Sequence, residues 1–162
     1  MVFSTSHDSP HHRFAALVGG WTGSSSTWLE PGAEPMQAPI QGSIQLVLDG
    51  RFALFLYQSM MDSEPQHGIF TFGFNTLLER YEASWIDSFH NNTAMMFCTG
   101  AEMEQGFSVL GSYPDPSGGP DWGWRTEVRS PNLDHMVITA YNITPDGQEF
   151  KAVETLLTKV KK

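Results

Sequence analysis

The stretch Ile44-Gln45-Leu46-Val47-Leu48-Asp49-Gly50-Arg51-Phe52-Ala53-Leu54-Phe55-Leu56-Tyr57-Gln58-Ser59-Met60 decides the fold. Two apolar runs, Ile44–Leu48 and Phe52–Met60, flank Asp49-Gly50. Asp-Gly tolerates the positive φ of a type I′ turn, so the segment predicts a β-hairpin. The same pattern continues outward. Asn75 to Glu79 separates Gly68–Phe74 from Arg80–Asp87, and Asn91-Asn92 leads into Thr93–Thr99. Glu104-Gln105-Gly106 leads into Phe107–Tyr113, and Pro145-Asp146-Gly147 separates Val137–Ile143 from Gln148–Lys159. Runs of this spacing predict about ten strands in a barrel or sandwich. One helix precedes them: Ser9 can cap it, Pro10 suits its first turn and Gly19-Gly20 stops it.

The 162 residues suit a single domain over 1–162, with residues 1–8 as a flexible tail. The net charge of −9 argues against nucleic acid and against anionic membrane surfaces as partners. One cysteine, Cys98, suits a reducing compartment. Met1–Pro10 lacks the basic and apolar regions of a signal peptide, and no apolar run is long enough to span a bilayer. The expected location is cytoplasmic.

Period-2 parity assigns inner faces. Tyr81, Ala83, Trp85 and Asp87 share one face, as do Trp122, Trp124, Thr126 and Val128, and as do Phe150, Ala152, Glu154 and Leu156. Asp87 and Glu154 thereby fall on otherwise apolar faces, where a carboxylate must find a partner or shift its pKa. A closed barrel of about ten strands is wider than its side chains easily fill, so a ligand cavity and a solid core both fit the pattern. In the cavity reading, Arg51, Asp87 and Glu154 orient the polar end of a small hydrophobic molecule, while Phe72, Tyr81, Trp85 and Trp124 line its body. The pairs Met60-Met61 and Met95-Met96 suit core filling or an adaptable wall.

Phosphate-loop, dinucleotide, serine-hydrolase and zincin motifs are absent. Asp87-Ser88-Phe89-His90 holds triad residue types, but an extended strand turns His90 away from Asp87, so the segment is taken as a strand end. His7, His11 and His12 are taken as a solvated or merely structural set, and His67, His90 and His135 as dispersed singletons. Cys98, among Met95, Met96 and Phe97, is taken as a small buried hydrophobe. An enzyme using a raised-pKa Asp87 or Glu154 as acid or base, and a partner-binding module or homodimer using exposed strand edges, are alternative readings.

The order of features also resembles a known family. His11-x-x-Phe14-x-x-Leu17-Val18-Gly19-Gly20-Trp21 is similar to the helix and G-x-W strand of calycin-type barrels. Gly42, Asp49-Gly50-Arg51-Phe52, Gly73-Phe74-Asn75, Arg80-Tyr81, Trp85-Ile86-Asp87-Ser88, Gly100, Arg125, Gly147-Gln148-Glu149 and Glu154 follow in the order of the bacterial DUF1579 family, which the chain resembles over nearly its whole length. The resemblance implies an all-β antiparallel calycin- or lipocalin-like barrel of about ten strands with one short N-terminal helix. It implies a structural role for Trp21 at the barrel base. Gly73-Phe74-Asn75 departs from the family's Gly-Tyr-Asp, which puts any function of that turn in doubt. No resident cofactor is expected. A nitrobindin-like haem protein is the alternative that the resemblance brings, with His135 as the late histidine in question.

Overall fold

The structure, a computed structural model, describes residues 9–91 and 93–161; the expected tail over 1–8, His7 included, lies outside them. The elements are α1 (Pro10–Leu17), β1 (Gly19–Thr27), β2 (Met36–Val47), β3 (Phe52–Met61), β4 (Glu64–Asn75), β5 (Arg80–Asp87), β6 (Met96–Met103), β7 (Gly106–Tyr113), β8 (Trp122–Asn132), β9 (His135–Ile143) and β10 (Glu149–Lys159). Each strand pairs antiparallel with the next, and β1 pairs with β10 to close a ten-stranded barrel. Closure leaves no open sheet edge among the described residues, so the exposed edges expected for partner binding are not there. Among the described residues, no helix is long and apolar enough to cross a membrane.

The expected hairpin forms, with Val47 paired to Phe52, but its loop is four residues long and Leu48, Asp49 and Gly50 all have positive φ. The next turn falls at Asp62-Ser63, a two-residue loop with both φ positive, as a type I′ turn requires. It extends β4 back to Glu64, ahead of the Gly68 start that the apolar run suggested. Pro65 and His67 disguise this half of the strand.

One end of the barrel is sealed by α1. The Ser9 hydroxyl accepts the His12 N–H at 3.3 Å, and Pro10 opens the first turn. The helix buries His11, Phe14 and Leu17, so of the two roles expected for His11 the structural one holds, as part of the seal. Burial, then the Arg51 charge, lowers its pKa. Phe14 meets Tyr81 and Phe107 edge-on, and Tyr81 stacks on Phe107 at 4.5 Å between centroids. At the helix end, the Trp21 indole donates to the Leu17 carbonyl and the Lys159 ammonium to the Ala16 carbonyl, both at 2.9 Å. Those carbonyls have no partner within the helix, so Trp21 plugs the base and caps the helix together. Phe14→Leu is expected to cost about 1–2 kcal/mol, because a fully buried ring gives up its edge-on packing against Tyr81 and Phe107. A urea melt measures it, and an unchanged midpoint would show that the helix does not seal the core.

Candidate functional site

The opposite end, where β3, β5 and β7 finish and β4, β6 and β8 begin, is the mouth. A ladder of rings rises to it along the lumen. Phe72 stacks on Phe70 at 5.4 Å, Phe70 on Trp85 at 5.3 Å, and Trp85 on Trp124 at 5.3 Å. The inward parity of β5 and β8 delivers these rings, because Tyr81, Ala83, Trp85 and Asp87 are buried, as are Trp124, Thr126 and Val128.

At the top of the ladder sits Asp87, the last residue of β5, with its side chain fully buried. The chain turns immediately after it, and the carboxylate caps that turn. Oδ1 accepts the backbone N–H groups of Phe89, His90 and Asn91, at 3.1, 2.5 and 3.1 Å. Oδ2 accepts His90 Nδ1 at 2.7 Å, Gln66 Nε2 at 2.9 Å and the Tyr57 hydroxyl at 3.3 Å. The Tyr57 oxygen itself accepts Trp85 Nε1 at 2.9 Å. Burial pushes the Asp87 carboxyl up, but the His90 hydrogen bond and charge and the backbone donors outweigh it and hold the group below the ordinary carboxylate range. The same burial, with the Asp87 charge beside it, raises the Tyr57 phenol far above its usual range, so Tyr57 remains a donor.

The turn overturns one expectation. Continued extension would have parted His90 from Asp87, whereas the Asp87 carboxylate folds the backbone over itself and brings His90 into the mouth. An acidic residue followed within a few positions by Asn91-Asn92 was the available sign of such a turn. A second missed residue is Gly68. It pairs with Tyr57 on one side and Asp87 on the other. A Cβ there would lie 2.1 Å from the Tyr57 ring, so the glycine is what lets Tyr57 cross its strand to reach Asp87.

The other expected site residues do not all gather. Trp85, Asp87 and Trp124 meet at the mouth, while Phe72 and Tyr81 pack deeper toward the seal. Arg51 stands exposed in the β2–β3 turn at the sealed end, bonded to Asp49 and the Leu48 carbonyl. Glu154 is outside, paired with Lys151 at 2.7 Å. A β-bulge between Lys151 and Val153 reverses the parity of β10 and turns Val153, Thr155 and Leu157 inward in its place. The Asp87 carboxyl is therefore depressed where a raised one was expected, and Glu154 lies on the outer face of the barrel. Burial raises the Cys98 thiol to about 11, which keeps it a protonated core group.

Beneath the mouth lies a chamber of about 50 Å³, walled by Tyr57, Ser59, Gln66, Trp85, His90 and Trp124 among others. Ser25, Thr27, Ser59 and Gln66 connect it to a rim cleft of about 380 Å³ that Met36, Pro39, Met60 and Met61 line. A larger concavity of about 730 Å³ lies along the outside of the sheet, over Gln41, Leu56, Ile69 and Ile86. It is open, and the Asp87 side chain is wholly shielded from it. The chamber is where polar groups converge. The Trp124 Nε1 atom is buried with no hydrogen-bond partner among the described residues. His90 stands beside it, ring centroids 5.9 Å apart. A haem does not fit these residues: the chamber holds one or two waters' worth of space, and His135 is exposed at the sealed end, bonded to Asn132. Among the described residues no group of three metal-binding side chains occurs.

A family model described as a protein of unknown function (DUF1579) matches residues 6–159. No curated protein matches the chain. Among solved structures, the crystal structure of Rv2717c from M. tuberculosis aligns with a TM-score of 0.60 at 11% identity, covering 94% of this chain and 99% of that one. The S-type phycobiliprotein lyase CPES from Guillardia theta aligns with a TM-score of 0.53 at 12% identity, covering 93% and 92%. These likenesses are likenesses of fold.

Proposed function

The chain belongs to the DUF1579 family, and from that premise and the geometry of the mouth we propose that it binds one small, mostly apolar molecule, its polar head in the chamber and its body on the methionine-lined rim. The observation that carries this reading is the unpaired, buried Trp124 Nε1 beside a chamber that shares walls with a cleft where Met36, Met60 and Met61 stand among polar residues. A buried donor left unpaired costs about 1–3 kcal/mol, which an acceptor atom on a ligand recovers. Methionine side chains adapt to varied apolar shapes, which suits the rim. The same barrel also serves a phycobiliprotein lyase, which is in keeping with a fold that handles small molecules.

Titration with the fluorescent probe N-phenyl-1-naphthylamine tests the reading. Saturable one-site binding with quenching of tryptophan emission is expected. Ser59→Phe, which fills the neck between chamber and cleft, is expected to weaken it at least tenfold, and Ala140→Leu serves as a second block inside the chamber. Ile69→Ser, on the outer concavity, is expected to leave it unchanged. Binding that ignores Ser59→Phe and Ala140→Leu but responds to Ile69→Ser would overturn the proposal.

A further inference from the structure

Resting on that reading, we infer that the head group taken by the chamber is an amide, its carbonyl oxygen received by Trp124 Nε1–H and its N–H donated to His90 Nε2. The argument begins with Asp87. An ionised carboxylate only accepts, and this one already takes donors from Tyr57, Gln66, Phe89, Asn91 and both the backbone and ring of His90. It is saturated, so it orients and does not itself meet the ligand. Its contact with His90 Nδ1 assigns a ring proton to that nitrogen, so in the neutral form of the imidazole the lone pair lies on Nε2. That Nε2 has no partner among the described residues, and neither has Trp124 Nε1.

Beside the hydroxyls of Ser25, Thr27, Ser59, Thr126 and Thr155, the chamber therefore presents one unpartnered ring donor and one unpartnered ring acceptor on adjacent rings, and no lysine, arginine, aspartate or glutamate lines it. Each class of head group meets this pair differently. A hydrocarbon leaves both nitrogens unpaired, and an ester answers only Trp124. A carboxylate only accepts, so it leaves Nε2 unpaired, and the lining holds no lysine or arginine to balance its charge. A primary or secondary amide answers both in its neutral form. The volume of about 50 Å³ admits such a head and sends the attached chain to the rim cleft.

Hexanamide, methyl hexanoate and hexanoate share one apolar body and separate the three heads. Hexanamide is expected to bind about tenfold or more tightly than the ester, the worth of one hydrogen bond to an otherwise unpaired buried group. It is expected to shift the Trp124 indole N–H resonance, identified by its loss in Trp124→Phe, and to lose its advantage over the ester in that variant, which keeps an aromatic ring and removes the donor. His90→Phe gives the matching test of the acceptor. A preference for hexanoate over hexanamide would overturn the amide and assign a carboxylate head. Equal affinity for all three, or an amide preference that survives Trp124→Phe, would overturn it while the ligand-binding reading stands. No saturable binding of these probes or of the naphthylamine would overturn both.

Discussion

Asp87→Ala is expected to destabilise the barrel by about 3–5 kcal/mol at neutral pH, the usual result of removing one partner from a buried charged network. A chain of this size loses roughly 2–4 °C of Tm for each kcal/mol, so the melt falls by on the order of 10 °C. The reason is that the donors gathered on this carboxylate come from three places: Tyr57 on β3, Gln66 on β4 and the turn over 88–91. All lose their acceptor together. Asp87→Asn is expected to cost less, because it keeps one carbonyl oxygen for the backbone N–H groups, although its amide would face Gln66 and His90 as donor against donor. The pH dependence has a definite sign. The carboxyl is depressed below its ordinary value of 3.8 in the folded protein. Its contribution is then complete above that value and is lost as pH falls through the folded pKa. The difference in stability between wild type and Asp87→Ala is expected to be constant near neutrality and to shrink below about pH 4. Equal Tm values at pH 7 would refute the role given to Asp87.

Gly68→Ala is the second large effect, at about 3 kcal/mol. The register places Tyr57, Gly68 and Asp87 in one row across β3, β4 and β5. An added methyl would lie 2.1 Å from both Cζ and the hydroxyl oxygen of Tyr57, and the ring must leave. Overpacking of this kind costs about 1–3 kcal/mol. Losing the Tyr57 link to Asp87 and to Trp85 adds about 1–3 kcal/mol more for groups left unpaired. The test is a double-mutant cycle with Tyr57→Leu, which removes the ring that the methyl would strike. In that background Gly68→Ala is expected to cost under about 1 kcal/mol, so the two changes are strongly non-additive. Additive costs would show that the glycine matters for its own backbone and not for the passage of Tyr57.

The mouth shows how far local sequence rules carry. Alternation placed Trp85, Asp87 and Trp124 correctly on inner faces, because side chains on an unbroken strand alternate whatever the strand pairs with. The same rule misplaced Glu154, since the bulge in β10 arises from its pairing with β9 and leaves no mark in its own residues. His90 escaped the rule for a different reason. It lies beyond the end of β5, where the Asp87 carboxylate and not the strand repeat decides direction. Tyr57 and Gln66 escaped because their roles exist only across strands: each is an ordinary strand residue until closure brings it to Asp87.

The sequence by itself determined the strand-rich class, the single capped helix, the order of most turns and the aromatic face of β5, since each depends on residues near one another in the chain. Only the tertiary structure decided that the barrel closes through β1 and β10, that the lumen is filled with stacked rings down to a small chamber, and that an unpaired indole and an oriented imidazole share it. Those facts depend on distances between residues remote in sequence, such as Trp85 and Trp124 at 5.3 Å, which no local periodicity encodes.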